Sequence, residues 1–100
     1  MASVVVRAEQ FRFLQGRELV TRYPPAPPHH LVRCFCRVCG SYLGEPETDA
    51  RGFPVAASAL DDDPGVRAVF HEHVNDKAPW YEILDGLPQF PGQPPGSGAE

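Results

Sequence analysis

The sequence predicts a small, mostly β domain. Three observations favour this class: twelve prolines and nine glycines among 100 residues, short runs of β-branched or aromatic residues, and no sustained helical spacing of apolar residues. A chain of this length has room for one domain with a small core, which often needs a metal or a partner for stability. We therefore expect one folded domain over residues 1–90.

The predicted strands follow the β-branched and aromatic runs in chain order. They are Ser3–Arg7, Phe11–Leu14, Glu18–Tyr23, His29–Phe35, Tyr42–Leu43, Phe53–Leu60 and Val66–Val74, with a closing segment at Ile83–Phe90. A turn is expected at Gln15-Gly16, and the proline-rich stretch 24–28 is expected to be an extended connector. Residues 91–100, rich in Pro, Gly and Ser, are expected to form a disordered tail.

Three adjacent carboxylates at Asp61-Asp62-Asp63 precede Pro64-Gly65. Clustered carboxylates can bind a hard cation such as calcium, but the regular alternation of an EF-hand loop is absent. Asp, Pro and Gly are the usual turn formers, so we interpret this stretch as a solvated turn.

The composition argues against several partners. The net charge of −4 and the pI near 5.5 disfavour nucleic acid as a main ligand. No apolar run approaches the length that spans a membrane, and the N-terminus lacks a signal-peptide pattern. We therefore expect an intracellular, cytoplasmic chain whose thiols stay reduced, and an odd number of cysteines fits a disulfide framework poorly.

The main chemical motif is Cys36-x-x-Cys39-Gly40. Two thiolates at this spacing can chelate one metal ion from a tight turn, and the glycine permits a positive φ. The pattern is half of a zinc knuckle, because a tetrahedral structural zinc needs four ligands and the sequence has no second Cys-x-x-Cys pair. A redox pair or an unused pair is the alternative.

Other residues are candidates for the missing ligands. On a strand, alternation places Cys34 on the same side as Cys36, so Cys34 is either a third thiolate or a small buried apolar residue. His71 and His73 would face one side of their predicted strand. They would complete a tetrahedral zinc site, or they pack beside Trp80 or face solvent.

Most of the chain up to Phe90 resembles the glutathione-dependent formaldehyde-activating enzyme family, whose domain is shared by centromere protein V. The matching residues are Arg33-x-Phe35-Cys36-x-x-Cys39-Gly40-Ser41-x-Leu43, Leu60-Asp61-Asp62, His71, Lys77-Ala78-Pro79-Trp80-Tyr81-Glu82-Ile83 and Asp85-Gly86-Leu87-Pro88-Gln89-Phe90. Each motif is short, and the specificity lies in their order and spacing.

The resemblance implies a small, partly open β-sandwich of the Mss4-like type with a zinc knuckle. It implies Cys36 and Cys39 as structural zinc ligands. Family members begin with a further segment whose cysteines complete this site and hold a catalytic zinc, and that segment has no counterpart here, so the sandwich is expected to be incomplete at its N-terminal side. The family activity is that of a carbon–sulfur lyase that joins formaldehyde to glutathione.

Two functions follow as hypotheses. The first is a zinc-binding, carbon–sulfur lyase-like domain that acts on glutathione–aldehyde adducts, with glutathione or another small thiol as ligand. The second is a non-catalytic zinc-binding or interaction module, a shortened isoform whose exposed edge favours a homodimer. No catalytic residue is assigned.

His71, Lys77 and Trp80 are candidates for binding the substrate. Two interpretations each apply to five residues. Trp80 and Tyr81 line a thiol pocket or, as we expect, pack in the core. Lys77 attracts a glutathione carboxylate or is solvated. Arg33 and Arg37 stabilise the thiolates or solvate the loop.

Overall fold

The computed structural model describes residues 1–95, which divide into two compact units, Met1–Gly65 and the segment from Val66 onward. The first unit is built on a five-stranded antiparallel sheet. Its strands are β1 (Ser3–Arg7), β2 (Val20–Tyr23), β3 (Arg33–Cys36), β4 (Tyr42–Gly44) and β5 (Gly52–Ala56), in the spatial order β1-β5-β4-β3-β2. The mostly β fold class is therefore confirmed at the level of a small antiparallel sheet with short helical turns.

Short 3-10 turns connect or extend the strands. They span Ala8–Gln10, Arg17–Leu19, Ala57–Ala59 and, in the second unit, Val74–Asp76. Within the described 95 residues, no helix is long and apolar enough to cross a membrane.

The sequence places the strands of the first unit with mixed accuracy. β1 is confirmed over its whole length, and β2, β3, β4 and β5 lie inside or overlap their predicted ranges. The predicted strand Phe11–Leu14 is wrong, because this segment is irregular and folds onto the sheet instead of joining it. The ring of Phe11 packs edge-on against the rings of Phe13 and Phe53, with centroids 5.2 and 5.1 Å away. The aromatic residues of this segment therefore pack on Phe53 of β5.

The core of the first unit is small and lies along β5. Phe53, Val55 and Ala56 are buried, and Cys34 of β3 is fully buried beside them in the register of the sheet. Phe53 keeps 3% of its surface exposed, and burial of a side chain of this size stabilises a fold by about 1.5–3 kcal/mol.

Gly44 allows the close approach of β4 to β5. Its φ is +85°, and a Cβ there would lie 2.7 Å from the Ala56 nitrogen and 2.8 Å from the Pro54 carbonyl oxygen. Both contacts are with backbone atoms, which cannot move aside cheaply. The register of the two strands at this point therefore requires glycine.

The second unit has little regular structure. The predicted strand Val66–Val74 is wrong: residues 66–70 are exposed and irregular, and His71 forms an isolated parallel bridge with Gln89. The closing segment is held by backbone hydrogen bonds, in which Phe90 N–H donates to the His71 carbonyl over 2.8 Å and His71 N–H donates to Pro88. A β-rich composition without a neighbouring strand does not form a sheet.

The predicted tail begins inside the described region and ends outside it. The carbonyls of Pro91 and Gly92 accept hydrogen bonds from the N–H groups of Asn75 and His73, respectively. Residues 96–100 lie outside the described residues, and disorder of the tail as a whole stays a prediction.

The Asp61-Asp62-Asp63 stretch adopts the turn that its composition indicates. Asp63 Oδ1 accepts a hydrogen bond of 2.8 Å from the Gly65 N–H, and Gly65 has a φ of +79°. The carboxylate therefore caps its own turn.

Candidate metal centre

The Cys36–Cys39 motif forms the turn that joins β3 to β4. Gly40 N–H donates to the Cys36 carbonyl over 2.7 Å, and Cys36 N–H donates to the Ser41 carbonyl over 3.0 Å. Gly40 has a φ of +77°, a conformation that glycine adopts without a steric cost. The tight turn and the positive φ predicted after the second cysteine are present, and the zinc knuckle itself stays a prediction.

Cys39 is the exposed thiol of this turn. Its Sγ lies 3.4 Å from Ser41 Oγ. Hydrogen bonds from the Ser41 hydroxyl, from the Ser41 N–H and from the Cys36 thiol lower the pKa of Cys39 below its ordinary value. Each of these donors stabilises the negative charge on sulfur, and the thiolate is the form that binds a metal.

Cys36 is half-buried at the end of β3, and its thiol is hydrogen-bonded to the Cys39 sulfur. The two sulfur atoms therefore lie close to each other at this turn. Two adjacent soft donors of this type match the preference of zinc. The residues fit half of a tetrahedral thiolate site.

Cys34 lies in a different environment. It is fully buried, and Arg22 Nη1 lies 3.4 Å from its sulfur while donating to the Pro46 carbonyl over 2.9 Å. Burial raises the pKa of the Cys34 thiol, with Arg22 opposing the shift. These contacts suit the interpretation of Cys34 as a small buried residue, and its role as a third ligand stays a prediction.

The two histidines do not share a strand face as predicted, because their segment is not a strand. His71 Nε2 lies 2.8 Å from Asp85 Oδ2, and His73 has a left-handed backbone with a φ of +55°. His73 Nδ1 lies 4.0 Å from Asp76 Oδ2. Across residues 1–95, no group of three or more His, Cys, Asp or Glu side chains is arranged to hold a metal ion. A zinc site completed by the two histidines stays a prediction.

The adjacent aromatic residues Trp80 and Tyr81 of the second unit are exposed. Trp80 is 82% exposed and Tyr81 is 56% exposed, so the expectation that they pack in the core is wrong. Their rings contact each other edge-on with centroids 6.5 Å apart. Lys77 Nζ donates to the backbone carbonyls of Ala78 and Tyr81, so this amine closes a local turn.

The arginines beside the knuckle take different positions. Arg33 is exposed opposite Tyr23 in the β2–β3 register, and its charge opposes the rise in the pKa of Tyr42 that burial produces. Arg37 is exposed, and its N–H donates to the Leu19 carbonyl over 2.9 Å.

Two residues contact the cysteine sulfurs in a way that the sequence analysis does not predict. Ser41 stabilises the Cys39 thiolate, and Arg22 bonds to Cys34 from the neighbouring strand. A hydroxyl two residues after the second cysteine is a local signal that points to the first of these. The second depends on the β2–β3 register, which pairs Arg22 with Cys34 and has no sequence signature.

Comparison of the chain with protein-family models, curated proteins and solved structures finds no match. The resemblance to the formaldehyde-activating family therefore depends on the residues quoted above.

Proposed function

We propose that this chain is a zinc-binding module in which Cys36 and Cys39 supply two thiolate ligands. The observation that carries the proposal is the contact between the two cysteine sulfurs at one turn, with Cys39 exposed and its thiolate stabilised. The Mss4-like sandwich and membership of the formaldehyde-activating family are part of this proposal, and the sequence motifs support them.

Two protein thiolates leave two positions of a tetrahedral ion for other ligands. The ligands with matching chemistry are thiolates of a small molecule such as glutathione, or of another protein chain. When bound, zinc would supply a positive charge that keeps coordinated thiols deprotonated at neutral pH. Cys36 and Cys39 would hold the ion at the turn between β3 and β4, where Cys39 is exposed.

Cobalt(II) titration tests this proposal, because thiolate-to-cobalt charge transfer produces an absorption band whose intensity increases with the number of bound thiolates. We expect the wild-type chain to produce the band, and Cys36→Ser and Cys39→Ser each to weaken the affinity at least tenfold. Cys34→Ala is the matched control and should leave both the affinity and the intensity unchanged. The proposal fails if the wild type produces no band, or if Cys39→Ser binds cobalt as the wild type does.

The same titration separates the candidate ligands. A loss of intensity in Cys34→Ala would make Cys34 the third thiolate. An increase on addition of glutathione to the wild type would place an external thiol on the ion. Zinc stoichiometry with the mass of the particle then distinguishes one ion per chain from one ion shared by two chains.

An assay of the formaldehyde–glutathione reaction tests the enzyme hypothesis separately. For a chain that starts at Met1, we expect no turnover above the uncatalysed background, since three catalytic cysteines of the family have no counterparts among these 100 residues. Turnover that survives mutation of Cys34 and disappears with mutation of Cys36 would show that the chain is a lyase, and the proposal of a non-catalytic binding module would then fail.

A further inference from the structure

One face of the sheet carries three aromatic side chains and an arginine across neighbouring strands. Tyr23 of β2 lies opposite Arg33 of β3, and Phe35 of β3 lies opposite Tyr42 of β4. Residues directly opposite each other, and residues two apart on one strand, lie on the same face of a sheet. These four side chains therefore share a face, and the buried Cys34 lies on the other face.

The same four side chains line an open cavity in the first unit. Its volume is about 390 Å³, and its lining residues are Met1, Tyr23, Arg33, Phe35, Gly40 and Tyr42. Protein pockets for small molecules have volumes of about 300–1,000 Å³, and they combine apolar walls with a few polar groups. The cavity therefore has the size and the type of lining that suit one small molecule.

The aromatic rings of this cavity are available to a ligand. Tyr23 is 63% exposed, and Phe35 and Tyr42 are half-buried. Among residues 1–95, the close ring pairs are formed by other aromatic residues, so none of these three rings packs against another ring. An aromatic ligand would bury apolar surface here and would gain ring–ring contacts in addition. The walls therefore favour a ligand with a planar ring.

Arg33 gives the cavity a positive charge. Its guanidinium forms no ion pair or hydrogen bond with another of the described residues 1–95. It lies close enough to Tyr42 to oppose the rise in the pKa of this phenol that burial produces. Glu45 also raises the pKa of Tyr42, but this carboxylate is buried and does not line the cavity. A planar guanidinium can bind a carboxylate through two parallel hydrogen bonds.

We propose that this cavity binds a small molecule in which a planar aromatic ring carries one carboxylate group. The ring packs against Tyr23, Phe35 and Tyr42, and the carboxylate pairs with Arg33. One guanidinium matches the single charge of a carboxylate, whereas a phosphate monoester carries a charge of about −1.5 to −2. The net charge of −4 of the chain further disfavours ligands with several negative charges.

This ligand site is separate from the proposed zinc function. None of the three cysteines lines the cavity, and the Cys36–Cys39 turn contributes only the adjacent Gly40. Alternation along β3 places Cys36 with Cys34 on the opposite face of the sheet. Binding of the carboxylate should therefore need no metal, and a strong chelator should leave the affinity unchanged.

NMR titration of the isotope-labelled chain tests the site with three probes. Naphthoate has both the aromatic ring and the charge, naphthalenemethanol has only the ring, and cyclohexanecarboxylate has only the charge. We expect naphthoate to cause saturable shifts of the amide signals of Tyr23, Arg33, Phe35 and Tyr42. Each of the other two probes should bind about tenfold more weakly, because it lacks either the charged hydrogen bonds or the ring contacts.

Two substitutions at exposed positions separate the charge from the rings. Arg33→Gln should weaken the binding of naphthoate about tenfold and leave the affinity for naphthalenemethanol within about twofold of the wild type. Arg37→Gln is the matched control, because Arg37 is also exposed and does not line the cavity. Tyr23→Thr removes one ring, retains a residue that favours strands, and should weaken the binding of both aromatic probes about threefold.

Several outcomes would overturn the proposal. These are the absence of saturable shifts with naphthoate at millimolar concentration, equal affinities for naphthoate and naphthalenemethanol, and equal losses in Arg33→Gln and Arg37→Gln. Loss of binding in the chelator, with an unchanged circular dichroism spectrum, would place the carboxylate on a metal ion instead. Tighter binding of a short single-stranded oligonucleotide at the same residues would assign the rings to nucleic-acid bases.

Discussion

The hydroxyl and the N–H of Ser41 determine how readily Cys39 loses its proton. Both groups bond to a sulfur that is otherwise exposed to water, and together with the Cys36 thiol they lower its pKa. Cys39 therefore becomes a thiolate at a lower pH than an ordinary cysteine. The pH at which metal binding begins should follow this residue.

Ser41→Ala should raise the pKa of Cys39, because the thiolate loses the hydroxyl hydrogen bond and keeps the backbone one. We expect alkylation of Cys39 by iodoacetamide to shift to higher pH, with a rate about threefold slower on the rising part of the profile. Mass spectrometry of the Cys39 peptide measures the rate. Ser58→Ala, at an exposed position outside the turn, is the control, and identical profiles for the two variants would contradict the role of Ser41.

For single residues, the sequence predicts the two cysteines of the turn. It does not predict the side chains that contact the cysteines. The spacing of Cys36 and Cys39 and the glycine after them are sufficient to predict the turn, since its hydrogen bonds are local. The contact of Arg22 with Cys34 is not local, because it depends on which residues of β2 and β3 lie opposite each other. The exposure of Trp80 was also missed, since large aromatic residues are usually buried.

Among the elements, the β4–β5 pair has the strictest steric requirement. Gly44 is the residue of β4 paired with Val55. Its backbone is left-handed, and a Cβ atom added to it would lie within 3 Å of three backbone atoms of β5. A side chain at this position would push the two strands apart, and β4 begins just after the Cys36–Cys39 turn.

Gly44→Ala should destabilise the first unit by about 3 kcal/mol or more, since backbone strain and overlap with β5 add together. Urea unfolding followed by circular dichroism measures the change. Gly16→Ala is the matched control, because Gly16 has a similar φ of +79° and its nearest neighbour would lie 3.9 Å away. We expect it to cost about 1 kcal/mol from the backbone conformation alone. Equal losses in the two variants would show that the contact with β5 is not limiting.

The elements that the sequence predicts well are those with β-branched residues and a neighbouring strand. β1 is correct at both ends because its valines alternate between a half-buried and an exposed face of the sheet, and every residue lies opposite a residue of β5. The Phe11–Leu14 and Val66–Val74 segments have similar composition, but the first packs on a face and the second has no partner strand within the described residues. Strand propensity therefore indicates an apolar segment, and tertiary pairing decides whether it becomes a strand.

For the molecule as a whole, Cys34 links stability to pH. Burial raises the pKa of this thiol, so in the unfolded chain it loses its proton at a lower pH than in the folded chain. Its contribution to stability is fully present below the ordinary pKa of 9.0 and is lost as the pH rises towards the higher folded value. Cys39 has a lowered pKa and contributes with the opposite sign.

The free energy of unfolding should therefore fall more steeply with pH in the wild type than in Cys34→Ala. We expect the two proteins to converge as the pH rises from about 8 to 10, because only the wild type loses the contribution of a protonated buried thiol. Urea unfolding at several pH values measures this difference. Parallel profiles would show that the ionisation of Cys34 is not coupled to folding.

The order of the strands also has a consequence for the rate of folding. β2, β3, β4 and β5 each pair with a neighbour in the sequence, whereas β1 pairs with β5 and closes the long loop between Arg7 and Gly52. The entropy lost in closing such a loop is recovered only after the partner strand has formed. β1 is therefore expected to join last on the folding pathway, after the Cys36–Cys39 turn has already brought β3 and β4 together.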